Sequence, residues 1–188
     1  MLFELSENEK KFLLRLARQV IADYMEGLDS PGKSYYTDVL KKKAGAFVTL
    51  NQSGDLRGCI GYIDPILPLQ DTIIELALSA AFNDPRFPPL GPDELGDMEI
   101  EISVLTPKQK INDISQIEIG RDGLIIKQGN HEGLLLPQVA TDYNWDVLTF
   151  LEQTCRKAGL NASAWKEKST QILRFSALIF SESEFNLN

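Results

Sequence analysis

The chain has a single histidine, His131, and two cysteines, Cys59 and Cys155, far apart among 188 residues. No recognisable metal-ligand spacing results, so zinc is not expected, and no cofactor is implied. No stretch approaches the length of uninterrupted apolar sequence that a membrane-spanning helix needs. There is no Walker loop and no G-x-G-x-x-G, so a nucleotide cradle has no motif behind it. Positive charge is also short: 19 Lys and Arg against 27 Asp and Glu give a net charge of −8. Such a field disfavours general binding to nucleic acid or to anionic membranes. The one basic run, Lys41-Lys42-Lys43, reads as the solvated end of an element. Acids at Glu4 and Glu7 stand where a secretory signal needs basic and then apolar residues. Without an export signal, the expected location is the cytoplasm, with both cysteines as free thiols.

What remains is the composition of an ordinary globular protein, 43% hydrophobic and 24% charged. Ser6-Glu7-Asn8-Glu9 has the form of a capping box. Leu13, Leu16, Ala17, Val20, Ile21 and Tyr24 then recur at helical steps, predicting an amphipathic helix that ends near Gly27. A break follows at Ser30-Pro31-Gly32-Lys33.

Residues 46–50 and 56–62 read as two strands of an antiparallel hairpin, with a longer loop over 51–55. Pro68 opens a second helix with Ile73, Leu76, Ala77, Ala80 and Ala81 on one face, and the proline-rich stretch 83–89 ends it. Residues 98–105 alternate as a half-buried strand, with Glu99 and Glu101 on the outer face. Gly129-Asn130 turns a second hairpin, 145–158 is a helix with Cys155 in its core, and 170–180 is a last strand. Hairpins without regular β-α-β alternation predict an α+β fold with antiparallel sheets.

The unusual segment is Leu56-Arg57-Gly58-Cys59-Ile60-Gly61. Simple alternation places Arg57 and Cys59 on one strand face, with Gly61 leaving a gap beside the thiol. Two glycines weaken a strand, so something needs close approach here, either a ligand or another packed element. Same-face neighbours lie about 7 Å apart. At that distance Arg57 stabilises a Cys59 thiolate by roughly 2.4 kcal/mol at an effective dielectric of about 20. Full burial raises a thiol by more than that, so Cys59 is either reactive on a partly open face or a small buried hydrophobe.

His131 is the only histidine that could serve as a base for Cys59, and nothing in the spacing brings the two together. Glu99 and Glu101 are either an acid–base pair or a solvated face, and Glu101 is also a candidate partner for Arg57. Asp84 and Arg86 are either a polar clamp at a cleft or part of a plain helix-ending loop.

The 56–61 string resembles the hallmark of the AMMECR family. Ordered companions agree: Phe47-Val48-Thr49-Leu50 before it, then Ala80-Ala81-Phe82-Asn83-Asp84-Pro85-Arg86-Phe87 and Glu101-Ile102-Ser103-Val104-Leu105. Further matches are Leu135-Leu136-Pro137-Gln138-Val139-Ala140, Trp145 and Cys155-Arg156-Lys157-Ala158-Gly159-Leu160. The resemblance covers residues 46–165. It implies a single α+β domain over residues 1–188, with a larger lobe joining both termini and a smaller inserted lobe. The hallmark would lie near a cleft between the lobes. The resemblance implies no particular activity, but it does suggest a shared modification system with a Memo-type protein and a radical SAM protein.

Two functional readings follow. In the first, the chain is a binding or adaptor module. Its cleft is bordered by Arg57, Gly58, Cys59, Gly61, Asp84 and Arg86, and it holds a small anionic ligand or a partner segment on forked arginine donors. In the second, it is a cysteine-dependent enzyme with Cys59 as nucleophile or redox thiol, activated by Arg57.

Overall fold

The computed structural model describes residues 4–28 and 34–187. The chain break at Ser30–Lys33 and the first three residues lie outside the described set. The fold is α+β, and the strand pairings whose register is described below are antiparallel. The chain divides into two compact units, Thr106–Ala177 and the described residues of Leu2–Leu105 with Leu178–Asn188.

The unit built from both ends of the chain starts with α1, Glu7–Met25. Its capping box forms as the sequence predicts: the Ser6 hydroxyl accepts the Glu9 amide and the Glu9 carboxylate accepts the Ser6 amide. Gly27, at φ 72°, closes the helix in the left-handed region. Next come β1, Ala46–Gln52, and β2, Asp55–Tyr62. The loop between them is shorter than the composition suggests. Ser53 and Gly54 both take positive φ, so two residues suffice for a turn that matches the strand twist.

Helix α2, Leu69–Phe82, starts after Pro68 and is followed by β3, Met98–Leu105. Strand order runs β2, β1, β3 and then the last strand of the chain, leaving β2 at the edge. Val48 and Leu50 of β1 and Ile100, Ile102 and Val104 of β3 are buried with the apolar faces of α1 and α2. This period-two face packs against two helical stripes and leaves the opposite sheet face turned away from them. Arg18 ties the unit together: it donates to the Glu182 carboxylate and to the carbonyls of Leu95 and Met98. Glu182 also accepts the Ile100 amide at 2.8 Å.

The other unit contains β4, Gln109–Ile111, β5, Asp122–Gln128, and β6, His131–Leu135. It also holds α3, Pro137–Asp142, α4, Val147–Lys157, and the first part of β7, Gln171–Ser181. β7 pairs with β4 and β5, and β5 pairs with β6 through the Gly129-Asn130 turn. Phe150, Leu151 and Cys155 of α4 form its core with Leu124 and Ile126. Cys155 is fully buried there, and burial pushes its thiol up. Strand β4 and helix α3 escape a periodicity reading because three and six residues are too few to show a repeat. Among the described residues, no helix is long and apolar enough to cross a membrane.

Candidate functional site

The 56–61 segment does not alternate simply. Leu50 faces Gly58 while Asn51 faces Leu56, so Arg57 is the extra residue of a β-bulge. Beyond it the parity resets: Cys59 stands opposite Thr49, and Gly61 opposite Phe47. Thr49 in turn faces Glu101 of β3. A row Glu101–Thr49–Cys59 therefore crosses three strands at one level, on the face turned away from the helices. Neighbouring strands lie about 4.8 Å apart, so Glu101 and Cys59, on either side of the threonine, are roughly twice that far from each other along the row. The Thr49 hydroxyl donates to the Cys59 sulfur at 3.4 Å, and both residues are half-buried.

The two glycines serve packing, which corrects the expectation of a gap beside the thiol. A Cβ at Gly58 would come within 2.2 Å of the Ala80 carbonyl of α2, so Gly58 lets the helix lie against the strand. A Cβ at Gly61 would lie 2.1 Å from the Phe47 ring, which already fills that space.

Arg57 is engaged with a carboxylate. Its Nε and Nη2 donate to Glu94 at 2.8 and 3.1 Å, a fork closed by one carboxylate. Glu94 also accepts the Gly91 amide, and Arg57, with help from that amide, holds its carboxyl below the usual range. The expected pairing of Arg57 with Glu101 is thereby replaced by Arg57–Glu94. Sequence reasoning missed Glu94, because 37 residues separate the partners and only the fold of the segment after α2 joins them.

Asp84 and Arg86 do form a clamp, and it grips the main chain of Cys59. Asp84 Oδ2 accepts the Cys59 amide at 2.9 Å, and Arg86 Nη2 donates to the Cys59 carbonyl at 3.0 Å. Arg86 also forks onto Asp84, Nε to Oδ1 at 2.9 Å and Nη2 to Oδ2 at 2.7 Å. The outward N–H and C=O of an edge strand, which otherwise invite another chain, thus meet a side-chain pair in place of a neighbouring strand. The Asp84 side chain is only 2% exposed, and its carboxyl sits well below the ordinary range. The Arg86 guanidinium is the main cause, and the Cys59 and Arg86 amides add to it. Arg86 is held more firmly in its charged form, first by Asp84 and also by Cys59. The Phe87 ring lies 5.5 Å from the Arg86 guanidinium and 5.9 Å from that of Arg57.

Glu99 and Glu101 share the outer face of β3 but not their chemistry. Hydrogen bonds, above all from Ser183, hold Glu99 below the usual carboxylate range. Burial, with the Glu99 charge as a smaller cause, pushes Glu101 up. Two carboxyls driven apart in this way are suited to different roles, one anionic and one proton-holding.

His131 opens β6 in the unit Thr106–Ala177, opposite Gln128, with Nδ1 at 3.3 Å from the Ala158 carbonyl. Among the described residues, no three His, Cys, Asp or Glu side chains are grouped to hold a metal ion.

Comparison with known proteins agrees with this architecture. The AMMECR1 family model matches residues 14–180. A protein of Methanothermobacter thermautotrophicus is 46% identical over 187 residues, spanning 95% of this chain and 96% of the relative. Protein MJ0810 of Methanocaldococcus jannaschii is 45% identical over 188 residues, 96% of this chain and 93% of its own. The crystal structure titled Uncharacterized Protein PH0010 from Pyrococcus horikoshii superposes with a TM-score of 0.79 at 41% identity. It covers 90% of this chain and 89% of that one. With a family model spanning most of the sequence and relatives this similar over nearly their full length, the chain belongs to the AMMECR1 family.

Proposed function

We propose that the chain is a thiol-dependent enzyme in which Cys59 forms a covalent bond to an electrophilic carbon and Glu101 carries the proton. The row Glu101–Thr49–Cys59 is the observation that carries this reading. The anion-receptor reading has less to support it, because Nε and Nη2 of both Arg57 and Arg86 are already engaged with a carboxylate. A half-buried thiol remains, with a hydroxyl donor on it and a raised carboxyl one strand beyond.

In the proposed sequence, the Cys59 thiol releases its proton to solvent, and the Thr49 hydroxyl stabilises the sulfur anion. The thiolate attacks a substrate carbonyl lying over Thr49, a C–S bond forms, and the bond to the leaving group breaks. The leaving group takes the proton of the Glu101 carboxyl. Water then attacks the thioester, returns a proton to Glu101, and frees the acid and the sulfur. The net change is hydrolysis of an acyl compound.

The test is stoichiometric capture of p-nitrophenyl acetate by the purified chain. The expected result is a burst of one equivalent with the acetyl group on Cys59, abolished in Cys59→Ala. A wild-type chain that gives no burst and no adduct at Cys59 would overturn the reading.

The adaptor reading keeps one specific observation, in the unit Thr106–Ala177. Tyr143 stacks on Trp145 with ring centroids 5.1 Å apart, while Tyr143 is 67% and Leu148 48% exposed. Exposed aromatic and aliphatic groups of this kind suit contact with a protein partner. A Memo-type or radical SAM protein is the proposed partner. Co-purification lost in Tyr143→Ala would support it, and unchanged co-purification would count against it.

A further inference from the structure

We propose that Arg86, and not Arg57, is the positioning residue that governs the Cys59 thiol. The inference deepens the reading of Cys59 as the reacting group and rests on it. Arg86 is anchored twice. Its fork holds Asp84, which grips the Cys59 amide, and its Nη2 holds the Cys59 carbonyl directly. The carbonyl oxygen and sulfur of one cysteine are only four bonds apart, so a cation fixed on the first is held near the second. Arg57 has no such anchor on Cys59: it leaves the strand at the bulge and ends on Glu94.

The two arginines also differ in freedom. Arg57 is 12% exposed and half-enclosed with its partner, whereas Arg86 is 52% exposed while its Asp84 is buried. Arg86 therefore presents one face to the clamp and one to solvent, where a substrate for the thiol would arrive.

Among the described residues, charged and titratable groups approach Cys59 from more than one packed element. Arg86 and Asp84 lie in the segment after α2, and Glu101 and Glu99 lie on β3. Arg57 itself is neutralised by Glu94. Thr49 on β1 adds an uncharged donor. Of these, only Arg86 supplies positive charge bonded to Cys59. Removing it leaves the Asp84 anion on the Cys59 amide without its counter-ion, a change that disfavours the thiolate in both respects.

The experiment is alkylation of the full chain by iodoacetamide across a range of pH. Modification of the Cys59 peptide is followed by mass spectrometry, which keeps buried Cys155 out of the signal. Arg86→Ala is expected to move the alkylation midpoint to higher pH, with about tenfold slower modification near neutral pH. Arg86→Lys keeps a cation without the fork and is expected to fall between wild type and Arg86→Ala, a partial rescue that a merely structural role would not give. Arg57→Ala is expected to leave the midpoint in place. Should Arg86→Ala fail to fold, Arg86→Gln and Arg86→Lys carry the comparison. Coincident profiles for wild type and the Arg86 variants would overturn the proposal, as would a larger shift in Arg57→Ala. Iodoacetamide reads the sulfur without any acyl substrate. Absence of an ester burst with an Arg86-dependent midpoint would therefore sink the acyl reading and leave this one standing.

Discussion

Asp84 accepts the amide of Cys59 from 25 residues away in sequence, at 2.9 Å, and so stands where a neighbouring strand would otherwise pair. The reacting atom of the proposed site is thus held from behind, through its main chain, while its side chain stays on the face turned away from α2.

Asp84→Asn keeps the shape of that grip and loses its charge. Because the folded carboxyl lies below its unfolded value, its stabilisation is present above about pH 4 and is lost as pH falls through the folded value. The expected cost near neutral pH is about 2 kcal/mol. That is less than the roughly 3–5 kcal/mol for breaking a fully buried pair, because the outer face of Arg86 is solvated. Denaturant unfolding at a series of pH values checks both features. A deficit in Asp84→Asn that stays constant down to about pH 2 would contradict the assignment.

Glu101→Gln moves the other way. A carboxyl whose folded value is raised favours its protonated form in the folded state, so stability falls as pH rises from the unfolded value through the folded one. The amide does not ionise. At neutral pH Glu101→Gln is expected to be more stable than wild type, with the gain vanishing in acid where both are uncharged. The same substitution removes the transferable proton, so any ester turnover should slow while the protein becomes harder to unfold.

Gly58→Ala is expected to be the more damaging of the two glycine changes. Its new methyl meets the main-chain carbonyl of Ala80, which cannot move without α2, and overpacking of this kind costs about 1–3 kcal/mol. Gly61→Ala meets the ring of Phe47, a side chain that must swing about its first torsion to make room. Thermal unfolding of the two variants should rank Gly58→Ala below Gly61→Ala, and the reverse order would show that the helix contact is slack.

Charge should select among reagents at Cys59. The unit that holds it, Leu2–Leu105 with Leu178–Asn188, has 10 basic and 19 acidic residues, a net −9, while Thr106–Ala177 is close to neutral. A field of this sign concentrates cations at the surface of the unit, so a cationic methanethiosulfonate is expected to modify Cys59 about tenfold faster than its sulfonate analogue, relative to a free thiol. Equal relative rates would show that the local field is neutral.

Much of the fold was legible because it rests on local rules. The Ser6–Glu9 box, the helical spacing of Leu13 to Ile21 and the alternation of Met98 to Val104 each lie within one element, and each matches the structure. The site was legible only in its membership. Cys59, Asp84 and Arg86 do come together, but the partner of each arginine depended on features with no local mark. A single bulge residue changes the parity of a strand without altering its composition, so Arg57 was read onto the wrong neighbour. The nearness of Thr49 and Glu101 to the sulfur depends on register across three strands, and register follows from the bulge.

That bulge gives Arg57 an unusual status: it supplies a side chain without occupying a rung of the ladder. A chain shortened by this one residue would close the ladder as an unbroken run, with Gly58 still against α2 and Cys59 still opposite Thr49. The tether to Glu94 and the contact with the Phe87 ring would disappear. The arginine beside the thiol in sequence is thus a detachable brace between the edge strand and the segment after α2.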